Sequence, residues 1–320
     1  MRAPLKIGTR ASELALRQAR LVAAALEAQG VECELVTFTT IGDKRLDEPL
    51  SSIGAKGLFT HELEVALVKG KIDCCVHSLK DLPTELPEGL EIVALLERED
   101  PRDVLVVNSV TQADGLHSIP PGSRVGTSSL RRRAQLAAMR PDLDIVELRG
   151  NVPTRLRKVD TGQVHAAILA AAGLIRLDAR QRITEFLDPP GWLPAAGQGA
   201  IAVQMRSGEH PHRAVLTGLD HLPTGVSTRS ERAFLAALEG GCQVPIGALA
   251  SVHDGSGGLM LHGFVSDVAG RTFVRGSCEV DEANPERSGR SLAAELRTRG
   301  ATTLLMALRS TPPTIAPQPE

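Results

Sequence analysis

The chain has 320 residues and a formal net charge of −2, with 42% hydrophobic and 23% charged residues, ordinary for a globular protein and long enough for two or three domains with cores of their own. Six Phe, one Trp and no Tyr leave few stacking platforms for single-stranded nucleic acid, and the acidic balance argues against nonspecific DNA binding. Five cysteines without paired spacing argue against a disulfide framework. No basic-then-apolar leader and no apolar run of about 18–20 residues is visible, so the reading is a cytoplasmic protein with no membrane partner and no nucleic-acid partner.

Lys6 to Thr9 reads as a strand and Ser12 to Ala28 as a helix, with Leu14, Leu21, Val22, Ala25 and Leu26 at helical spacing and Gly30 closing it. Glu34 to Thr40 is the next strand, and strand, helix, strand at this length is a parallel crossover unit. Arg10 and Ser12 stand where that first helix starts, a natural place for an anion. The loop from Gly42 to Gly57 is long and polar, a candidate lid. Its Gly54 to Gly57 lacks the spacing and the Lys-Ser/Thr of a phosphate-binding loop. A helix over Thr60 to Val68 and strands over Ile72 to Val76 and Ile92 to Leu96 follow.

His77-Ser78-Leu79-Lys80-Asp81-Leu82-Pro83 comes straight after a buried strand, at the carboxyl end where open α/β sheets keep their ligands. It reads as a site in which Asp81, beside Lys80, stabilises a cation and moves a proton, or as a capped turn with a surface ion pair.

Glu97 to Asp103 is a charged punctuation before a second α/β unit: strands at Val104 to Val107, Val125, Ile145 to Leu148 and Ala166 to Ala170, alternating with helices. Residues 124 to 158 hold nine basic and three acidic side chains, so this window is +6 and the rest of the chain −8. Ser128 or Ser129 caps a helix whose first turn carries Arg131, Arg132 and Arg133. A helix N-terminus is positive, so each Arg there is disfavoured by about 0.3–1 kcal/mol unless something anionic sits against it. A carboxylate or phosphate ligand would suit the place, and a solvated basic face is the plain alternative. The theme returns with Arg149 at a strand end and Arg155, Arg157 and Lys158 on the helix opened by Pro153. Ile201 to Met205 has no partner helix pattern and is expected to return to the first unit, which makes a hinged cleft the natural ligand site.

Thr228 with Glu231 reads as a capping box for a helix running to Leu238. Strands at Ala248 to His253, Leu259 to Val265 and Thr272 to Val280 and a helix from Glu286 to Arg299 suggest a small antiparallel α+β domain. Cys242, flanked by Gly240 and Gly241, is a loop thiol that reads as reactive or as unremarkable. No metal site is expected, since His61-Glu62-Leu63-Glu64 lacks a second His and His210-Pro211-His212 sits in a polar loop. The four-proline tail 311–320 is expected to be disordered. The divisions expected are 1–98 with 199–218, 99–198, 219–310 and that tail.

GTRAS, GDK, GAKGLFTHELE, HSLKDLP, EREDPRD, VGTSSLRRR, LRGNVPTRL, ILAAAGLIRL, LPAAGQGA, SERAFL and EGGCQVPIGA stand here in one order over residues 6 to 250. Together they resemble the porphobilinogen deaminase (hydroxymethylbilane synthase) family. The resemblance implies two α/β domains like periplasmic binding proteins with a central cleft, plus a small C-terminal α+β domain. It implies a transferase of tetrapyrrole biosynthesis that joins four porphobilinogen molecules head to tail into hydroxymethylbilane, losing ammonia each time; with no exposed apolar pattern demanding a dimer, a monomer is expected. The primer implied is a dipyrromethane cofactor held by a thioether, by motif match to Cys242. Asp81 matches the catalytic aspartate that meets the pyrrole N–H groups and stabilises a cationic azafulvene. Ser78, Lys80, Thr127, Ser128, Ser129, Arg131, Arg132, Arg149, Arg155 and Gln198 match cofactor-binding positions. Arg10, Ser12, Arg149, Arg155 and Arg176 match substrate-binding positions, and Lys56 and Phe59 the mobile loop. The rival reading is a non-enzymatic anion- or solute-binding module of the periplasmic-binding-protein fold.

Overall fold

The computed structural model describes residues 3–40, 60–238, 244–252 and 257–310. Cys242, Lys56 and Phe59, the loop from Gly42 to Gly57 and the tail 311–320 lie outside the described residues.

The first sheet begins with β1 (Leu5–Arg10), and α1 (Glu13–Glu27) starts on Ser12, whose hydroxyl accepts from the Ala15 N–H. The buried face of α1 (Ala15, Ala19, Val22, Ala23, Leu26) recurs at three- and four-residue spacing, which lays it on the sheet. Then come β2 (Cys33–Phe38), α2 (His61–Val68), β3 (Cys74–Ser78) and β4 (Leu90–Leu95). The second sheet is built from β5 (Asp103–Val107), β6 (Arg124–Gly126), α3 (Leu130–Met139), β7 (Asp144–Val146), α4 (Val152–Asp160), β8 (Ala166–Ala170), α5 (Ala171–Arg176) and β9 (Glu185–Leu187). β10 (Ile201–Arg206) then returns to the first sheet, between β3 and β4.

The two sheets repeat one topology, with orders β2-β1-β3-β10-β4 and β7-β6-β8-β5-β9. In each, the first three strands are parallel and the fourth is antiparallel to both neighbours. The antiparallel strand is in both cases the one entered directly from a connection between the sheets, 96–102 into β5 and 188–200 into β10. These two connections touch: the Glu99 N–H donates to the Gly199 carbonyl at 3.2 Å. Gly199 sits at φ +90°, and a Cβ there would lie 2.3 Å from the Glu99 carbonyl oxygen, so only glycine allows the approach.

The helix α6 (Arg213–Thr217) still belongs to the first unit, burying Leu216 in its core; the third unit starts with α7 (Leu222–Ala237), followed by an antiparallel sheet of β11 (Ile246–Val252), β12 (Leu259–Ser266) and β13 (Phe273–Glu279), then α8 (Pro285–Leu296) and α9 (Thr302–Ser310). The Phe234 ring of α7 rests on Gly263 of β12, where a Cβ would fall within 2.5 Å of it. Thr228 and Glu231 are no capping box: Pro223 opens the helix more than a turn earlier, and the Thr228 hydroxyl donates back to the Thr224 carbonyl at 2.6 Å. The helix expected to end at Arg299 does not stop at Gly300, which kinks at φ +111° and leads into α9. The fold is therefore mixed α/β: two doubly connected α/β units and a small α+β unit. Among the described residues no helix is long and apolar enough to cross a membrane.

Candidate active site

β3 delivers the HSLKDLP motif. His77 is buried, and Gln204 of the neighbouring β10 meets its Nε2 at 3.2 Å. Burial pushes its imidazole down to about 4 against that hydrogen bond, so His77 is neutral at pH 7. Ser78 and Gln18 of α1 exchange hydrogen bonds at 2.9 and 3.2 Å. One tight turn, Leu79–Asp81, then presents Lys80 and Asp81. Arg10, Ser12, Gln18, Thr60, His77, Ser78 and Asp81 line one pocket, so the two motifs at the ends of β1 and β3 meet. The reading of HSLKDLP as a mere surface turn does not describe this place.

Across from it, the arginine window has an anion of its own. Asp103, the first residue of β5, is fully buried and receives Arg131 Nη1 at 2.5 Å, Arg132 Nη2 at 2.7 Å and Nε at 3.1 Å, Trp192 Nε1 at 2.8 Å and Gln198 Nε2 at 2.8 Å. A carboxylate offers about four lone-pair sites, so this one is saturated. Burial alone would raise its carboxyl, but Arg131 and Arg132 outweigh burial and hold it well below the usual range. Arg131 and Arg132 are thus the rigid back of a wall; two guanidiniums on one carboxylate leave it a positive charge.

Gln198 joins the two sides. Its Nε2 faces Asp103, and its Oε1 accepts from Lys80 Nζ at 3.3 Å. Burial lowers the Lys80 ammonium to about 8, with the Asp81 charge pulling the other way. Arg155 is brought down to about 10 by burial, with Arg132 and Arg149 pushing in the same direction and Asp81 opposing. Asp81, Lys80 and the arginines therefore act on one another within a single electrostatic field.

Unspent donors cluster here. Arg149 Nη1 and Arg155 Nε are buried with no hydrogen-bond partner, which a native interior rarely tolerates without a ligand to receive them. The Thr127 and Ser129 hydroxyls accept from the Ser129 and Arg132 N–H groups, leaving their own protons to donate. Ser128 instead spends its proton on the Leu148 carbonyl at 2.7 Å. Arg176 Nη2 is engaged with the Gly199 carbonyl at 2.6 Å, at the contact between the two connections. Such a set, arginine forks with hydroxyls and one ammonium, fits a group carrying several carboxylates.

Three residues to which the motifs assign no role complete the frame. Asp103 stands in the charged run 97–103, where no spacing marks it out. Glu231, fully buried on α7, takes Arg98 through two bonds at 2.7 and 3.0 Å and the N–H groups of Gly197 and Ala250 at 2.7 and 2.9 Å. It ties both connections to the third unit. Arg232, next to it, donates to the Leu82, Pro83 and Thr84 carbonyls at 3.2, 2.7 and 3.4 Å, bracing the segment behind Asp81. Among the described residues no group of His, Cys, Asp and Glu has the arrangement of a metal site.

Two family models match the chain: "Porphobilinogen deaminase, dipyromethane cofactor binding domain" over residues 5–214 and "Porphobilinogen deaminase, C-terminal domain" over residues 226–298. Relatives named porphobilinogen deaminase include those of Moorella thermoacetica, 51% identical over 96% of this chain and 97% of that protein, and Syntrophobacter fumaroxidans, 47% identical over 94% and 96%. A third, from Geobacter sulfurreducens, is 47% identical over 94% of this chain and 93% of its own length. Among solved structures, the methionine-binding protein MetQ is similar at a TM-score of 0.44 and 16% identity, covering 73% of this chain and 94% of that one. With both of its regions matched and half of its residues shared with a full-length relative, the chain belongs to the porphobilinogen deaminase family.

Proposed function

We propose that Asp81 is the catalytic group of this transferase and that Cys242 anchors its dipyrromethane. Each addition breaks the aminomethyl C–N bond of a porphobilinogen and releases ammonia. It then forms one C–C bond between pyrroles and expels the proton of the ring carbon attacked. The charge that develops on the substrate as ammonia leaves is positive and shared with the ring nitrogen. Asp81, at the pocket shared with Arg10 and Ser12, can accept the ring N–H and stabilise that charge more strongly than the neutral substrate. The chemistry a bound dipyrromethane supplies is a nucleophilic terminal pyrrole carbon.

The remaining residues hold carboxylates. Arg149 and Arg155 offer buried donors with no partner, Thr127 and Ser129 offer hydroxyl protons, and Lys80 is a compact cation that can change partner as the chain lengthens. Arg131 and Arg132, fixed by Asp103, contribute charge more than new bonds. Arg10 and Ser12 serve the incoming pyrrole, and Arg176 its passage by the hinge; Lys56 and Phe59 belong by motif match to the loop over the cleft. The protein is read as a cytoplasmic monomer with no membrane or nucleic-acid partner.

The observation that carries this reading is the pair of unpartnered arginine donors, Arg149 Nη1 and Arg155 Nε, with Arg155 within the electrostatic reach of Asp81. Incubation with porphobilinogen should release ammonia and give hydroxymethylbilane. Asp81→Asn should lose most turnover while its intact mass keeps the dipyrromethane adduct, and Cys242→Ser should lose the adduct itself. Near-normal turnover in Asp81→Asn would remove Asp81 from the chemistry, and an adduct retained in Cys242→Ser would remove Cys242 as its anchor.

A further inference from the structure

Thr60 stands at the start of α2, where a threonine hydroxyl ordinarily caps the helix, yet its side chain makes no capping hydrogen bond. The residue is 1% exposed, and its Oγ1 is buried with no partner of any kind. It lines the pocket that also holds Arg10, Ser12, Gln18, Ser78 and Asp81. A buried hydroxyl that satisfies neither its own helix nor a neighbour is unfavourable, so its orientation points to a group that enters the pocket. The surroundings say which kind. Arg10 is a cation, Ser12 Oγ accepts from the Ala15 N–H and so keeps its proton to give, and the start of α2 adds partial positive charge. Asp81 is the sole acid among the described lining residues. The pocket is ≈ 60 Å³, room for a few water-sized groups. That suits one carboxylate arm and not a pyrrole ring with both of its arms.

We infer that Thr60 is a specificity-determining residue whose Oγ1 donates to one carboxylate arm of the incoming pyrrole, in the pocket formed with Arg10 and Ser12. This rests on the porphobilinogen reaction proposed above. It adds a selection step ahead of the chemistry: Asp81 reads the ring N–H, and Thr60 reads whether the correct arm is present. A pyrrole lacking that arm would leave the hydroxyl still unpaired, which is the arrangement that gives sites their strongest discrimination.

The test is Thr60→Val, which keeps the shape and removes the donor. Because the side chain makes no capping bond, valine forfeits none, and the melting temperature should be unchanged or slightly higher. The KM for porphobilinogen should rise roughly tenfold with kcat unchanged. Thr60→Ser, which restores the hydroxyl, should bring KM back, and Thr60→Ala gives a second measure of the lost donor should valine disturb the fold. A KM for both Val and Ala variants within twofold of the unmutated protein overturns the assignment of Thr60 while leaving the reaction intact. Failure of the unmutated protein to release ammonia from porphobilinogen overturns the reaction, and the inference with it.

Discussion

The carboxylate of Asp103 grips Arg132 through Nη2 at 2.7 Å and Nε at 3.1 Å, with both side chains out of solvent. Arg131 takes the other oxygen at 2.5 Å. This answers the puzzle of cations at the positive end of α3: the anion they require is supplied by the chain, from the first residue of β5. Since one carboxylate balances only one of two guanidiniums, the wall stays positive toward the cleft. It is also rigid, since the saturated Asp103 leaves neither arginine free to swing.

Asp103→Asn should therefore act first on stability. It leaves two buried guanidiniums facing a neutral amide, a change of the kind that costs about 3–5 kcal/mol when one partner of a buried ion pair is removed. The pH dependence has a definite sign. The folded Asp103 carboxyl is held below its unfolded value, so its contribution is present above about pH 4 and declines as pH falls below that. Urea melts at pH 7 and pH 3 check both points: the difference between the unmutated protein and the Asp103→Asn variant should be large at the first and smaller at the second. Equal stability at pH 7 would mean that the pair contributes nothing net.

Lys80 makes a prediction about activity. Its folded ammonium is lowered to about 8, burial being the chief cause, so it loses its charge as pH rises through that value. In the role proposed above, holding carboxylates by its charge, it then releases them. The kcat/KM profile, which reports the free enzyme, should fall on its alkaline side with an apparent midpoint of about 8. Lys80→Arg should push that limb upward at some cost in overall rate, because a guanidinium stays charged. An alkaline limb unmoved in the Arg variant would assign it to another group.

How far the site is legible in the sequence follows from how local its causes are. The caps at Ser12, Ser129 and Asn151 each accept from the backbone N–H three residues further on, so their spacing is visible in the chain. Asp103 binds partners 28, 29 and 95 residues away, and no periodicity encodes such distances. Glu231 misleads for the same reason: Thr-x-x-Glu is a capping box when local, but here the carboxylate reaches Arg98, 133 residues away. The kink at Gly300 is hidden because glycine ordinarily ends a helix, whereas here Ala301 and Leu305 bury the far side of it.

Glu231 is predicted to be the clasp between the connections and the third unit. Glu231→Gln keeps the volume but gives up the bidentate ion pair with Arg98 and one of the acceptors used by the Gly197 and Ala250 amides. Amide hydrogen exchange should show at least one of those two N–H groups losing protection, while β1, whose pairing lies wholly within the first sheet, keeps its own. Unchanged protection at both amides would show that the surrounding packing, and not the carboxylate, fixes them.

Arg232 offers the sharpest separation of position from fold. Its guanidinium, lowered to about 10 by burial, is spent on the Leu82, Pro83 and Thr84 carbonyls rather than on a carboxylate. Those residues follow Asp81 directly, so the brace fixes where the carboxylate stands. Arg232→Met keeps the aliphatic stem and removes a half-buried charge, so the loss of stability should be small. The loss of kcat should not be: misplacing a reacting group by about 1 Å can cost roughly a hundredfold. Porphobilinogen binding, proposed above for Arg10 and its neighbours, should change far less than kcat, and Arg232→Lys, with one ammonium for three carbonyls, should recover only part of the rate. If Arg232→Met instead lowers stability and leaves kcat intact, the arginine serves the fold alone, and Asp81 is positioned by its own turn and by the pairing of β3 with β10.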